Sequence, residues 1–270
     1  MARQEKSLEE MYAGLVLEEE DEGGIVVANT EIVEQRQSYV LIGKFLTEKN
    51  INFQAMQNIM ATLWRPKEGM KVHDIGGLRY SFVFFHKMDV QKVLEGGPWS
   101  FEQATLVLHQ LVTREDPSAV KLQDVEMWVQ VYDIPRGLLS ENILRSVDNL
   151  VGKFIRMDTN ALDGVWKPYA RIRVMINVEK PLKRRLKIKR EGDSWNWVNF
   201  KYERLGTFCF VCGILGHSER DCNIINENPD KVVDKAYGVW LRAPSKNATK
   251  SNAGARWLRT TSDGSSSWMR

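Results

Sequence analysis

The residues best equipped to do chemistry lie within one fourteen-residue stretch, Cys209-Phe-Val-Cys212-Gly-Ile-Leu-Gly-His217-Ser-Glu-Arg-Asp-Cys222. The spacing is C-x2-C-x4-H-x4-C. Three thiolates and one imidazole complete a tetrahedral shell around Zn2+ and leave no position for a reactive water. The pattern therefore predicts a structural zinc site with Cys209, Cys212, His217 and Cys222 as ligands. Spacings this short force tight turns, and Gly213 and Gly216 supply the backbone freedom for them. Metal-binding free energy then becomes folding free energy for this stretch, on the order of 10 kcal/mol or more. All three cysteines of the chain fall on these positions. An odd, clustered set argues against a disulfide framework.

No other constellation points to a reaction. His73, His86 and His109 stand alone in the sequence. There is no phosphate-cradling Gly-Lys-Ser/Thr loop, no nucleophile elbow and no His-Glu-x-x-His pair. The expectation is a protein that is not an enzyme and has no small-molecule substrate. The acidic run Glu18 to Glu22 reads as a solvating tail rather than a divalent-ion site. Asn247-Ala-Thr249 matches a glycosylation sequon without the secretory context that would use it.

Charge narrows the class of partner. Residues 1–35 hold ten acids against two bases, a net −8; the whole chain is +3, so residues 36–270 carry +11. Residues 166–222 hold thirteen Lys/Arg against six Asp/Glu. The densest cluster is Lys183-Arg184-Arg185-Leu186-Lys187-Ile188-Lys189-Arg190. A basic body with an acidic arm suits a polyanion, although basic clusters also occur as plain solvated faces. The cluster could serve as a nuclear import signal, but its alternation with Leu186 and Ile188 favours a folded strand. At 43% hydrophobic and 27% charged the composition is ordinary for a globular chain. No apolar run reaches the roughly 18–20 residues that cross a bilayer, and Met1 to Glu10 is too polar for a secretory signal. An intracellular protein is expected, nucleus favoured over cytoplasm, with no membrane partner.

The elements that must position these residues can be read from periodicity. Residues 1–35 form an acidic, disordered arm. From 36 to 115 strands are expected at 38–46, 71–75, 79–85 and 103–111. Between them lie a helix over 53–64, capped by Asn52 with Met56, Ile59, Met60 and Leu63 inward, and a short helix over 89–95. The order βαββαβ implies a four-stranded antiparallel sheet with two helices on one face. A second, β-rich α+β unit spans 126–204. Its strands fall at 127–132, 153–157, 169–178, 182–190 and 197–202. Its helix covers 140–150, with Ile143, Leu144, Val147 and Leu150 inward. Arg171 and Arg173 fall on one face of their strand, and Arg185, Lys187 and Lys189 on one face of theirs. Together they would make a basic sheet surface. The metal module occupies 205–224, and 243–270 reads as a disordered tail.

Three resemblances sharpen this α+β reading. The cysteine stretch resembles the retroviral-type zinc knuckle, with an aromatic after the first cysteine, a Gly-x-x-Gly-His core and an Arg-Asp-Cys ending. Such knuckles bind single-stranded RNA or DNA, which implies stacking by Phe210 and a phosphate contact from Arg220; the alternative is that Phe210 packs beneath the knuckle. The front unit resembles the ferredoxin-like RNA-recognition fold, in which two rings on the third strand and one on the first stack bases. That likeness puts Tyr80 and Phe82 at the third-strand positions and Leu41 at the first-strand position. Equally, Tyr80 and Phe82 could pack against the second unit. The whole arrangement resembles a plant family that joins an N-terminal domain of unknown function to a CCHC knuckle, the first open reading frame product of LINE-type retrotransposons or a host gene derived from one. The residues carrying this are Gly96-Gly97-Pro98-Trp99-Ser100-Phe101, Val129 to Pro135, Leu150 to Lys153, Lys180-Pro181-Leu182, the knuckle and Tyr237 to Ala243. The resemblance implies binding and chaperoning of single-stranded nucleic acid, RNA favoured, with self-association left open. The other reading of the same features is a protein–protein adaptor using the knuckle and the front unit.

Overall fold

A period-two alternation of large apolar residues sets the first sheet. The computed structural model describes residues 38–112, 115–158, 168–227 and 233–244. The acidic arm, the sequon and the tail beyond Pro244 lie outside the described residues. The first strands are β1 (Tyr39–Phe45), β2 (Met70–Gly76) and β3 (Arg79–Phe84), followed by β4 (Trp99–Phe101) and β5 (Ala104–Gln110). They pair antiparallel in the order β2-β3-β1-β5-β4. The sheet thus has one strand more than the four expected: Trp99–Phe101 folds back on β5 as a short edge hairpin.

Two helices cover one face of this sheet. Helix α1 (Phe53–Trp64) starts at Asn52, whose side-chain oxygen accepts the Ala55 N–H at 3.0 Å. It buries Met56, Met60 and Trp64, a stripe at steps of four. Ile59 and Leu63, expected inward, are exposed, because Trp64 rotates the buried stripe toward itself. Helix α2 (Lys87–Gly96) turns Val90 and Val93 inward. Between helices and sheet lie Leu41, Phe45, Tyr80, Phe82 and Phe84. Each ring removed from water contributes about 2 kcal/mol.

The opposite face of the first sheet is closed over β1 and β5, whereas Lys71 and His73 of β2 stay exposed. Ile42 and Val107 join the core of the second sheet, with Val120, Leu122 and Val125. Arg79 fixes the connecting segment by donating to the carbonyls of Ser118 and Val120 at 2.9 and 3.0 Å.

The second sheet comprises β6 (Asp124–Tyr132), β7 (Lys153–Met157), β8 (Tyr169–Asn177), β9 (Arg185–Ile188) and β10 (Asn196–Tyr202). All pairs are antiparallel, in the order β7-β8-β6-β10-β9. Met127, Val129, Val131, Ile172, Val174, Val198 and Phe200 make its buried face. Helix α3 (Glu141–Val151) contributes Leu144 to that core, with Ile143 packed against it; Leu150, expected inward, is exposed. The side chain of Val147 lies outside the described set. The paired part of β9 is shorter than the strand expected over 182–190.

Arginines tie the two halves together. The last turn of α2 contains no basic residue of its own. Its free carbonyls at Leu94 and Glu95 accept from Arg173 of β8, at 2.7 and 2.5 Å, and Gly96 accepts from Arg204 at 2.6 Å. Guanidinium groups at a helix C-terminus satisfy orphan acceptors and the negative end of the dipole together. No described helix is long and apolar enough to cross a membrane.

Candidate metal centre and cationic strand

The four sequence-predicted ligands converge. The donor atoms of Cys209, Cys212, His217 and Cys222 all lie within 4.8 Å of one another. A tetrahedral Cys3His shell with metal–ligand bonds of 2.0–2.3 Å has donor–donor edges of about 3.8 Å or less. Cys212 Sγ and His217 Nε2 are 3.3 Å apart. The four donors therefore surround a space that one ion could fill once the longer separations contract by about 1 Å.

Local turns build this cage. Gly213 N–H donates to the Cys209 carbonyl at 2.9 Å, and Cys209 N–H donates to the Ile214 carbonyl at 2.9 Å, closing the loop between the first two thiols. Gly213 has φ +76° and Gly216 has φ +97°, conformations that β-carbon sterics deny to most residues. Val211 N–H donates to Cys209 Sγ at 3.4 Å. Burial, reinforced by the neighbouring Cys209 and Cys222 sulfurs, pushes the Cys212 thiol up to about 12, although the Ile214 N–H opposes this. For Cys222, burial is outweighed by hydrogen bonds from Cys209 and from the Ile224 and Ile225 N–H groups, so its thiol lies below the ordinary value. A cation satisfies what these sulfurs lack, since metal binding replaces thiol protons.

The module is docked rather than tethered. Phe208 and Leu215 are buried in the core of the second sheet. Thr207 N–H donates to the Gln103 carbonyl at 2.8 Å, so the module also grips the hairpin of the first sheet. Leu182 N–H donates to the Gly213 carbonyl at 2.9 Å, and Tyr237 N–H to the Phe210 carbonyl at 3.0 Å. The chain enters the basic strand β9 three residues after Leu182, directly from contact with the metal loop.

The predicted nucleic-acid contacts separate into two groups. Tyr80 and Phe82, at 2% and 0% exposure, are closed inside the first core. They pack on helices α1 and α2 and on one another, so neither the stacking role nor packing against the second unit applies. Leu41 is closed there too. The cause is register: β3 turns Arg79, Ser81 and Val83 to its other face, which carries no ring at those positions. Phe210 is half-buried, 5.1 Å centroid to centroid from Phe208 and packed against the second core. Arg220 is exposed.

Arg171 and Arg173 share a face of β8, but neither is a free cation. Arg173 is 1% exposed and donates Nε–H to Glu126 at 2.7 Å, with its other donors on the α2 carbonyls. Arg171 holds Glu203 in a two-pronged bond of 2.8 and 2.7 Å, reaches Asp158 at 3.5 Å and lies 3.8 Å from the Trp128 ring centre. Burial works against its charge, but the Glu203 and Asp158 carboxylates outweigh it and raise the guanidinium above its ordinary value. The sequence showed the shared face but not the carboxylates, which come from β7's end and the turn after β10. The continuous basic surface expected from five residues is therefore a compensated pair and an open strand.

Arg185, Lys187 and Lys189 are the open strand. All three are exposed, and among the described residues none forms an ion pair with a carboxylate. Two residues that sequence reasoning missed stand beside them, Trp197 at 44% and Trp195 at 58% exposure. Arg185 and Lys187 lie 4.1 and 4.9 Å from the Trp197 ring centre, and Lys189 lies 4.9 Å from that of Trp195. The available signal was the two-residue spacing of both sets, which a hairpin register brings onto one face.

Comparison with known proteins matches residues 33–119 to a domain of unknown function (DUF4283) and residues 176–224 to a zinc knuckle. This pairing is typical of plant retrotransposon-like proteins. An uncharacterized Arabidopsis thaliana protein is 23% identical over 135 residues, which is 50% of this chain and 42% of that relative.

Proposed function

We propose that the protein is a non-enzymatic, zinc-stabilised binder of single-stranded nucleic acid, with RNA favoured over DNA. The observation that carries the reading is the row of unpaired cations on β9 and at Lys189 just beyond it, leaving the metal cage at the Leu182–Gly213 bond. Zinc suits a closed set of three thiolates and an imidazole better than the harder ions do. The ion serves as a structural staple, with no open position for chemistry. Arg185, Lys187 and Lys189 capture phosphates, and exposed Arg220 extends the cationic surface from the knuckle side. The first sheet and its helices are read as a ferredoxin-like unit with an added edge hairpin. The likeness to plant LINE-type first-frame products supports a chaperoning role within an intracellular ribonucleoprotein, in the nucleus more than the cytoplasm.

Fluorescence-anisotropy titration of RNA, single-stranded DNA and duplex tests this reading, with wild type, Cys212→Ser and an Arg185→Ala/Lys187→Ala/Lys189→Ala variant. The reading expects single strands to bind best and both variants to lose affinity. Tight protein capture with no salt-sensitive RNA binding would favour an adaptor instead.

A further inference from the structure

A single-strand binder needs rings as well as cations, because base stacking supplies affinity that phosphate contacts do not. The three rings that sequence resemblance nominates are poorly placed. Tyr80 and Phe82 are sealed in the first core, and Phe210 is spent against Phe208. The second sheet, by contrast, keeps two indoles half open at its β9–β10 edge, beside the exposed cations Arg185, Lys187 and Lys189.

We propose that Trp195 and Trp197 form a base-stacking platform for single-stranded nucleic acid, with Arg185, Lys187 and Lys189 holding the phosphates that flank the stacked bases. The proposal rests on the nucleic-acid reading above and assigns its contact site.

The hairpin geometry supports it. Trp197 sits opposite Lys187 in the antiparallel register, and Asn199 opposite Arg185. Extending that register places Trp195 opposite Lys189, whose Nζ is indeed 4.9 Å from the Trp195 ring centre. The rings therefore form one row and the cations a second row facing it, as a stacking strip with a flanking rail of charge requires. Residues two apart on a strand are about 6.6 Å apart. Stacked bases in a duplex rise only about 3.4 Å. Two neighbouring indoles can each accept a base only from a strand stretched out of its stack, which selects single strands. Charges along an edge strand also discourage pairing with another chain. That explains the lysines, but it does not explain two half-exposed indoles on the same face. In the free chain the cations lie against the ring faces, a weak contact at exposed sites that a stacking base can displace.

The test uses the full zinc-loaded chain and a labelled oligouridylate of roughly 12 nucleotides, within the range one such surface covers. Trp195→Ala/Trp197→Ala should weaken binding by about 25-fold or more, since each of the two stacked bases lost costs about 5- to 150-fold, with the salt slope unchanged. Trp195→Phe/Trp197→Phe should restore most of the affinity. The triple cation variant should instead flatten the slope by about 2. Zinc content and melting temperature check the fold. If the alanine pair disturbs either, Trp195→Ala alone decides, because Trp195 precedes the paired strand. Binding of the Trp195→Ala/Trp197→Ala pair within twofold of wild type would overturn the platform and leave the nucleic-acid reading standing. Equal, tryptophan-dependent binding of duplex would overturn it as a single-strand site. Competition by polyglutamate as strong as by RNA would overturn it in favour of an acidic protein. Absence of any binding by wild type would overturn both readings.

Discussion

Arg173 and Arg185 look alike in the sequence, each on an alternating strand within the basic region, yet the structure gives them opposite roles. Arg173 is 1% exposed and makes three hydrogen bonds, to Glu126 and to the carbonyls of Leu94 and Glu95. Arg173→Met keeps most of the volume but removes all three donors. The two helix-end carbonyls lose charged partners, each worth about 1.5–3 kcal/mol. Glu126 keeps a side chain about one-third exposed, so water recovers much of that part. Breaking a buried ion pair by removing one member costs about 3–5 kcal/mol, and this partial exposure places the expected loss near the lower end, about 3 kcal/mol. Urea denaturation of the zinc-loaded protein measures it; with a slope of about 3 kcal/mol/M the midpoint falls by about 1 M. Arg173→Lys should recover only part, because an ammonium cannot fork across two carbonyls. The companion Arg185→Ala should change stability by less than about 0.5 kcal/mol and reduce the RNA salt slope by about 0.7. A loss below about 0.5 kcal/mol for Arg173→Met, or equal instability in both variants, would refute the reasoning.

Other consequences can be checked in parallel. Cys222→Ser should reduce bound zinc, counted by elemental analysis, from one per chain to near zero, because three remaining donors leave the cage open. A strong chelator should lower the melting temperature of the whole described body, because Phe208 and Leu215 belong to the second core. Gly213→Ala would put a β-carbon 2.3 Å from the Tyr237 ring at a φ of +76°; strain of this kind costs about 1–3 kcal/mol, read as weaker zinc retention and a lower melting temperature. Tyr202→Phe removes a buried hydroxyl that donates to the Lys183 carbonyl at 2.8 Å, an expected loss of about 1 kcal/mol in denaturation.

The metal cage was legible because it is local: four donors within fourteen residues leave few ways to close. The strands were legible because apolar alternation names both an element and its buried face, as in Ala170, Ile172, Val174 and Ile176. What the sequence left hidden is what depends on distant partners. Nothing near Arg171 announces Glu203, which arrives from the turn beyond β10. Nothing near Tyr80 says whether its face meets helices or solvent, since both faces of the first sheet carry apolar residues. The helix stripe at Ile59 and Leu63 failed for a related reason: several apolar faces compete on α1, and Trp64 wins by size. Trp195 and Trp197 gained meaning only when the β9–β10 register set them against Lys189, Lys187 and Arg185.

The central claim is that a metal-stapled body presents an uncompensated cationic strand to single-stranded nucleic acid. Its most direct test is the RNA dissociation constant of the zinc-loaded wild type across a series of salt concentrations. The three cations of the open strand account for a log–log slope of about −2, and the Arg185→Ala/Lys187→Ala/Lys189→Ala variant makes the slope shallower by about that amount. A slope near zero in the wild type, or one that the triple variant leaves unchanged, would contradict the account.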